Sequence, residues 1–138
     1  MLLIAREPIA VRDLEAVVRP GDGGVVQFLG IVRGTSDDGR SVTGLSYETF
    51  EAMAVAEFNT IALEARERFG DVALAIVHRV GELAVGEIAV AVVAAAPHRG
   101  PAFEACRYAI DEVKRRAPIW KKEHYTGGAA QWRANEAE

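Results

Sequence analysis

Val72-Ala-Leu-Ala-Ile-Val-His-Arg-Val80-Gly-Glu-Leu-Ala-Val-Gly86-Glu87-Ile-Ala-Val-Ala-Val-Val-Ala-Ala-Ala96 holds two apolar runs on either side of a short segment bounded by Gly81 and Gly86. Runs of this length, rich in β-branched residues and bounded by glycine, read as strands. The pattern predicts strands over 72–80 and 87–96, joined around the two glycines. Upstream, from Glu51 to Phe69, the apolar period becomes helical: Ala54, Phe58, Ile61, Ala65 and Phe69 form one stripe, and Gly70 stands where a C-cap belongs. Downstream, Pro101 opens a second amphipathic helix with the stripe Phe103, Cys106, Ile110 and Val113, and Pro118 stops it. Farther out, Leu2 to Ala5 reads as a short strand, Val11 to Val18 as a helix, and Ile119 to Tyr125 as a closing strand. Val25 to Val32 and Val42 to Phe50 read as a hairpin with a long, mobile connection through the polar stretch Thr35 to Arg40. The order β-α-β-β-α-β-β-α-β predicts an α+β fold, a mainly antiparallel sheet with helices packed on one face. Two helices cannot cover all of those strands, and self-association would bury the remainder.

The 138 residues suit one domain spanning 1–138. Half of the chain is hydrophobic and about a quarter charged, the balance of an ordinary globular protein. A net charge of −4 argues against a general nucleic-acid binder, which normally carries a basic excess. The longest apolar run, Ile88 to Pro97, is about half of a membrane span, and the start of the chain lacks the apolar region of a signal peptide. A single cysteine excludes an internal disulfide and suits a reducing cytoplasm. The acidic average conceals a local excess of the opposite sign. Between His98 and Lys122 stand Arg99, Arg107, Lys114, Arg115, Arg116, Lys121 and Lys122 against only Glu104, Asp111 and Glu112.

Three stretches offer chemistry. Arg33 closes the strand that carries Phe28 and Gly30; it is either an arginine paired with a surface acid or an anion clamp, since guanidinium fits phosphate bidentately. His98-Arg99 precedes a helix, where free N–H groups and partial positive charge favour anions and where histidine can move protons near neutral pH. Lys114 falls on the last turn of that helix, and Trp120-Lys121-Lys122 follows the proline break. Dipole partnership explains Arg115 and Arg116 but not the two lysines after the break; on a strand these face opposite ways, so at most one enters any pocket. Trp120 alone reads as a core seal, His78 as a structural hydrogen-bonding group and Cys106 as a packed thiol. The three histidines lack metal-site spacing, and neither a nucleotide-binding glycine motif nor a Ser-His-Asp signature is present, so no metal and no bound cofactor is expected.

In this order the stretches resemble the large, catalytic subunits of the molybdopterin synthase family. The matching residues are Phe28-x-Gly30-x-Val32-Arg33, Leu45-x-Tyr47-Glu48, His78-Arg79-x-Gly81-x-Leu83-x-x-Gly86-Glu87, His98-Arg99, Ala105 through Asp111, and Lys114-x-x-x-Pro118-Ile-Trp120-Lys121-Lys122-Glu123. The last is the most specific. Family members often carry a serine just before the His-Arg pair, where this chain has Ala96-Pro97. The resemblance implies an α/β-hammerhead-like fold, a homodimer, and a heterotetramer with two copies of a small ubiquitin-like sulfur-carrier subunit ending in Gly-Gly. It implies sulfur transfer from that subunit's C-terminal thiocarboxylate to cyclic pyranopterin monophosphate. It also implies a catalytic set of Lys114, Lys121 and His98 and a substrate-binding set of Arg33, Arg99, Lys114 and Lys121. Preorganised positive charge shielded from water suits a phosphate, an anionic tail and a tetrahedral oxyanion, and crowded cations favour a neutral, nucleophilic lysine. The competing reading is a non-catalytic oligomeric α+β module that binds an anionic metabolite with the same residues.

Overall fold

The computed structural model describes residues 1–128 and 130–134. Its centre is the segment read first. β4 (Ala73–Arg79) is buried throughout, and β6 (Ile88–Ala96) is buried except at its first residue, so both need cover on both faces. They pair antiparallel, Ala73 opposite Ala95 through His78 opposite Val90. β1 (Leu2–Ala5) adds parallel to β4, and β2 (Gly24–Ile31) adds antiparallel to β6, giving the order β1-β4-β6-β2.

Helices α2 (Glu51–Phe69) and α3 (Arg99–Arg116) lie on one face of this sheet. Alternation along β4 sends Leu74, Ile76 and Val80 to that side, where they meet Phe58, Ile61 and Cys106. Phe58 and Ile61 are fully buried, each side chain gaining roughly 1.5–3 kcal/mol over exposure. The opposite face, carrying Ala75, Val77, Ala91 and Val93, is covered by Leu14 of α1 (Val11–Leu14) and the 3-10 turn Glu15–Val17. Gly70 closes α2 at φ 87°, a backbone angle that the expected C-cap glycine adopts without strain.

The α+β expectation holds, but there are two sheets. β3 (Val42–Thr49), β5 (Gly81–Ala84), β7 (Ile119–Tyr125) and β8 (Ala130–Ala134) form a second antiparallel sheet in the order β5-β3-β7-β8. The expected hairpin between 25–32 and 42–50 is therefore wrong. β2 ends at a register shift between Gly30 and Ile31, and β3, buried from Gly44 to Tyr47, takes β5 and β7 as neighbours instead of β2. The connection expected to be open is a bonded turn. Thr35 bridges Ser41, the Ser36 N–H donates to the Arg40 carbonyl, and the Gly39 N–H donates to the Ser36 carbonyl. The corner around Gly81 supplies β5, and beyond the expected closing strand a further strand follows, with Trp132 opposite Lys122.

Three smaller expectations also change. The helix expected over 11–18 is one α turn followed by the 3-10 turn. Helix α3 begins at Arg99, ahead of Pro101, with His98 extended at its N-cap. Its buried stripe runs through Ala102, Ala105, Cys106, Ala109, Ile110 and Val113, whereas Phe103 is 61 % exposed. Alanines set this packing face because only small side chains let the helix lie close to β6 and α2.

Candidate active site

Arg33, Lys114 and Lys121 come from three separate stretches of the chain and line one cavity of about 500 Å³. Arg33 follows the shift that ends β2, Lys114 stands on the last turn of α3, and Lys121 lies on β7. Strand alternation selects Lys121 over Lys122: Ile119, Lys121, Glu123 and Tyr125 share one face of β7, and Trp120, Lys122 and His124 the other. Register then places Tyr47 of β3 opposite Lys121 and Leu45 opposite Glu123, and all four line the cavity. Phe28 and Ile110 complete an apolar wall.

The cavity is positive on balance, with Arg33, Lys114 and Lys121 against Asp111 and Glu123. Arg33 Nη2 donates to Asp37 at 2.7 Å within the adjoining loop, an exposed pair that an incoming anion can exchange at small cost. Tyr47 is buried; desolvation first, and the Glu123 charge second, push its phenol up to about 12, so it stays protonated. The Tyr47 ring meets His78 edge-on at 4.9 Å. His78 is fully buried, its Nδ1–H donates to the Arg79 carbonyl at 2.7 Å, and burial together with the Lys114 charge drives its pKa down to about 4. A neutral imidazole thus lies beneath the basic pocket, in the structural role read from the sequence.

His98 and Arg99 are not brought there within this chain. They sit at the start of α3, fifteen residues before Lys114, about 22 Å along the helix at 1.5 Å per residue. Both are exposed. Backbone packs tightly against that end: a Cβ at Gly23 would lie 2.6 Å from the Pro97 carbonyl oxygen, and one at Gly24 3.1 Å from the Arg99 Cα.

Cys106 is buried and its thiol is raised to about 11 by desolvation, consistent with packing and not with nucleophilic attack. Trp120 does not seal the core; it is 37 % exposed on the outer face of the second sheet, edge-on to Phe50. Tyr47, Asp111 and Glu123 had no assigned role in the sequence reading. Glu123 had a signal, its i+2 spacing from Lys121 on a strand. Tyr47 had none, since its place depends on the pairing of β3 with β7.

Fold and cavity together define an α+β protein with a basic, partly apolar pocket built where two sheets and a helix end meet. The profile described as MoaE protein matches residues 4–116. A molybdopterin synthase catalytic subunit from Nostoc is 42 % identical over 127 residues, covering 91 % of this chain and 76 % of the relative. One from Pyrococcus abyssi is 50 % identical over 101 residues, covering 73 % and 68 %. The crystal structure of molybdopterin synthase from Staphylococcus aureus superposes with a TM-score of 0.90 at 35 % identity, covering 96 % of both chains. The chain belongs to the MoaE family, the catalytic subunits of molybdopterin synthase, and is an enzyme of sulfur transfer in molybdenum-cofactor biosynthesis. The reading as a non-catalytic binding module falls with that membership. The same fold occurs in one chain of a complex of subunits 1 and 2 of the molybdopterin-converting factor from Helicobacter pylori, TM-score 0.78.

Proposed function

We propose that the cavity of Arg33, Lys114 and Lys121 converts cyclic pyranopterin monophosphate to molybdopterin, taking sulfur from the C-terminal thiocarboxylate of a small ubiquitin-like subunit that ends in Gly-Gly. The convergence of three cations from three separate stretches of the chain on one cavity carries this reading. The substrate's phosphate, the anionic tail and the oxyanion of the addition step each need fixed positive charge in a site partly closed to water. Arg33, at the mouth, has the planar fork that holds phosphate. Lys114 and Lys121, lining the cavity together with the protonated Tyr47, stand where charge develops, and their amines are the groups there suited to general acid–base or nucleophilic work. Two successive sulfur deliveries generate the dithiolene.

His98 and Arg99, in this reading, serve the pocket of a second copy. One helix cannot present both of its ends to one cavity, and the apolar surface left along β2 at Val25, Phe28, Leu29 and Ile31 is the kind that a homodimer covers. Two such chains with two small subunits make the heterotetramer, working in the cytoplasm. No helix among the described residues is long and apolar enough to cross a membrane. The decisive experiment is incubation of the protein with thiocarboxylated small subunit and the cyclic precursor. Dithiolene-containing product is expected, and its absence with a correctly folded protein and authentic partner overturns the proposal.

A further inference from the structure

The His98 and Arg99 side chains make no hydrogen bond or ion pair among the described residues, and His98 gives α3 no side-chain cap. Backbone alone therefore aims them. That backbone leaves β6 at Ala96 and passes through Pro97, whose ring holds φ at about −65°. Its remaining freedom lies in the peptide that leads into His98. There it meets residues 19–24. The Gly23 N–H donates to the Ala96 carbonyl at 3.0 Å, and Gly24 pairs with Ala96 at the start of β2. The bare Cα of Gly23 leaves room for the Pro97 carbonyl oxygen, which a Cβ would approach to 2.6 Å. Gly23 is not one of the glycines with positive φ, so close approach, and not backbone freedom, is what asks for glycine here. An ion pair fixes the segment. Asp22, its side chain almost fully buried, accepts from the Arg19 backbone N–H at 2.8 Å and from Arg19 Nε and Nη2 at 3.1 and 2.8 Å. Arg19 Nη2 also donates to the Asp71 carbonyl at 3.2 Å, just past the end of α2.

We propose that Gly23, held by the Arg19–Asp22 pair, is a positioning residue for His98 and Arg99. Its missing side chain sets how far in the Pro97 carbonyl can lie, and so the direction in which the next two side chains leave the start of α3. The inference rests on the proposed function, in which His98 and Arg99 serve the cavity of a second copy. It adds the part of the chain that aims them. A methyl group at position 23 would face backbone, which cannot rotate away as a side chain can. The Pro97 carbonyl must swing outward, and with φ of Pro97 fixed the swing passes into His98. Misplacement of a reacting or binding group by about 1 Å can cost on the order of a hundredfold in rate. The cost of a change at Gly23 therefore falls on the other copy's cavity, while the cavity of the altered chain keeps its own Arg33, Lys114 and Lys121. General loss of stability cannot produce that signature.

The test is the turnover of purified mixed dimers of the full chain, each copy separately tagged, with thiocarboxylated small subunit and cyclic precursor. Gly23→Ala alone should slow turnover by about tenfold or more, and Asp22→Asn, which loosens the segment without a collision, by about threefold. Pairing a Gly23→Ala copy with a Lys121→Ala copy should restore about half of the natural rate. One cavity of that dimer has its own Lys121 together with the undisturbed His98 and Arg99 of the other copy. Placing both substitutions on one copy, beside an unaltered copy, should restore almost nothing, because each cavity then carries one defect. The opposite pattern, no recovery in the first pairing and about half in the second, makes Gly23 structural within its own chain and overturns the inference. Full activity of the Gly23→Ala homodimer overturns it as well. If Gly23→Ala does not fold, Asp22→Asn takes its place in both pairings under the same criteria. Pairing His98→Ala with Lys121→Ala isolates the underlying reading. Recovery there but not with Gly23→Ala overturns the positioning role alone, and recovery in neither overturns the second-copy reading together with it.

Discussion

Lys114, Lys121 and Lys122 test whether geometry or mere charge makes the site. Lys114 and Lys121 are half-buried at the cavity and contribute no apolar core contact, so alanine at either position should change stability by no more than about 1 kcal/mol. Turnover should fall on the order of a hundredfold or more, because each places charge at the developing anion. Lys122 has the same charge one residue away but faces the outer side, where its ammonium lies 5.5 Å from the Trp132 ring. Lys122→Ala should keep activity within about twofold; a loss equal to that of Lys121→Ala in steady-state assays would mean that net charge, not placement, matters. Lys114→Arg separates roles, since it keeps charge but not a neutral amine. His78 yields a pH prediction. Its pKa is about 4 when folded against an ordinary 6.5, so between those values the unfolded chain binds a proton that the folded chain does not. The associated stability is full above the ordinary value and is lost as pH falls toward 4, on the order of 3 kcal/mol in all. Urea melts at about pH 7 and about pH 4.5 should show this loss, and His78→Gln should flatten it. An unchanged slope in His78→Gln assigns the acid sensitivity to other groups.

The elements hold the site through their pairing. β3 is the hinge of the arrangement: it carries Leu45 and Tyr47 into the cavity, joins β7 on one side and β5 on the other, and its backbone passes within contact of β5 at Gly44. A Cβ at Gly44 would lie 2.7 Å from the Leu83 carbonyl oxygen, a backbone atom that cannot rotate away. Gly44→Ala should therefore force β3 and β5 apart and destabilise by about 1–3 kcal/mol, with loss of turnover beyond what stability explains because Tyr47 and Leu45 shift too. Thermal melts and kcat on the same preparation check both parts, and a variant with unaltered melting would show that the strands have room to spare. Helix α2 plays the quieter part of a brace. Phe58→Ala should remove about 3–5 kcal/mol through the cavity it leaves, while substrate affinity of the remaining folded fraction stays near normal.

At the scale of the whole molecule, one chain carries three cations in a cavity at one end of α3, His98 and Arg99 at the other, and exposed apolar side chains along β2. Light scattering should find a dimer at micromolar concentration; a stable monomer with full activity would remove the proposed part of His98 and Arg99 at a second copy's cavity. The small subunit should slow amide exchange in the turn over residues 35–40, which borders the cavity through Thr35 and holds Asp37 against Arg33. The tail over 130–134 is already paired to β7 and should change less. Equal protection of the turn with and without partner would place the docking surface elsewhere.

Local pattern and tertiary pairing divided the determination of this protein. The amphipathic period of 51–69, the glycine at 70, the apolar runs of 73–79 and 88–96 and the cations around Lys114 and Lys121 were legible because each depends on neighbours a few residues away in the chain. Family membership was legible too, since Lys114-x-x-x-Pro118-Ile-Trp120-Lys121 keeps its spacing whatever the fold around it. The alternation of β7 even chose between Lys121 and Lys122 in principle, needing only to know which face was inner. That last fact belongs to the tertiary structure. The adjacent strands 24–31 and 42–49 entered different sheets because a register shift at Gly30 ends the first and the burial of the second demands β5 and β7 as neighbours, partners 36 and 78 positions away at Ser46. Tyr47 and Glu123 joined the cavity by that pairing. His98 and Arg99 left it by the length of one helix, a distance that their nearness to Lys114 in the motif order does not reveal.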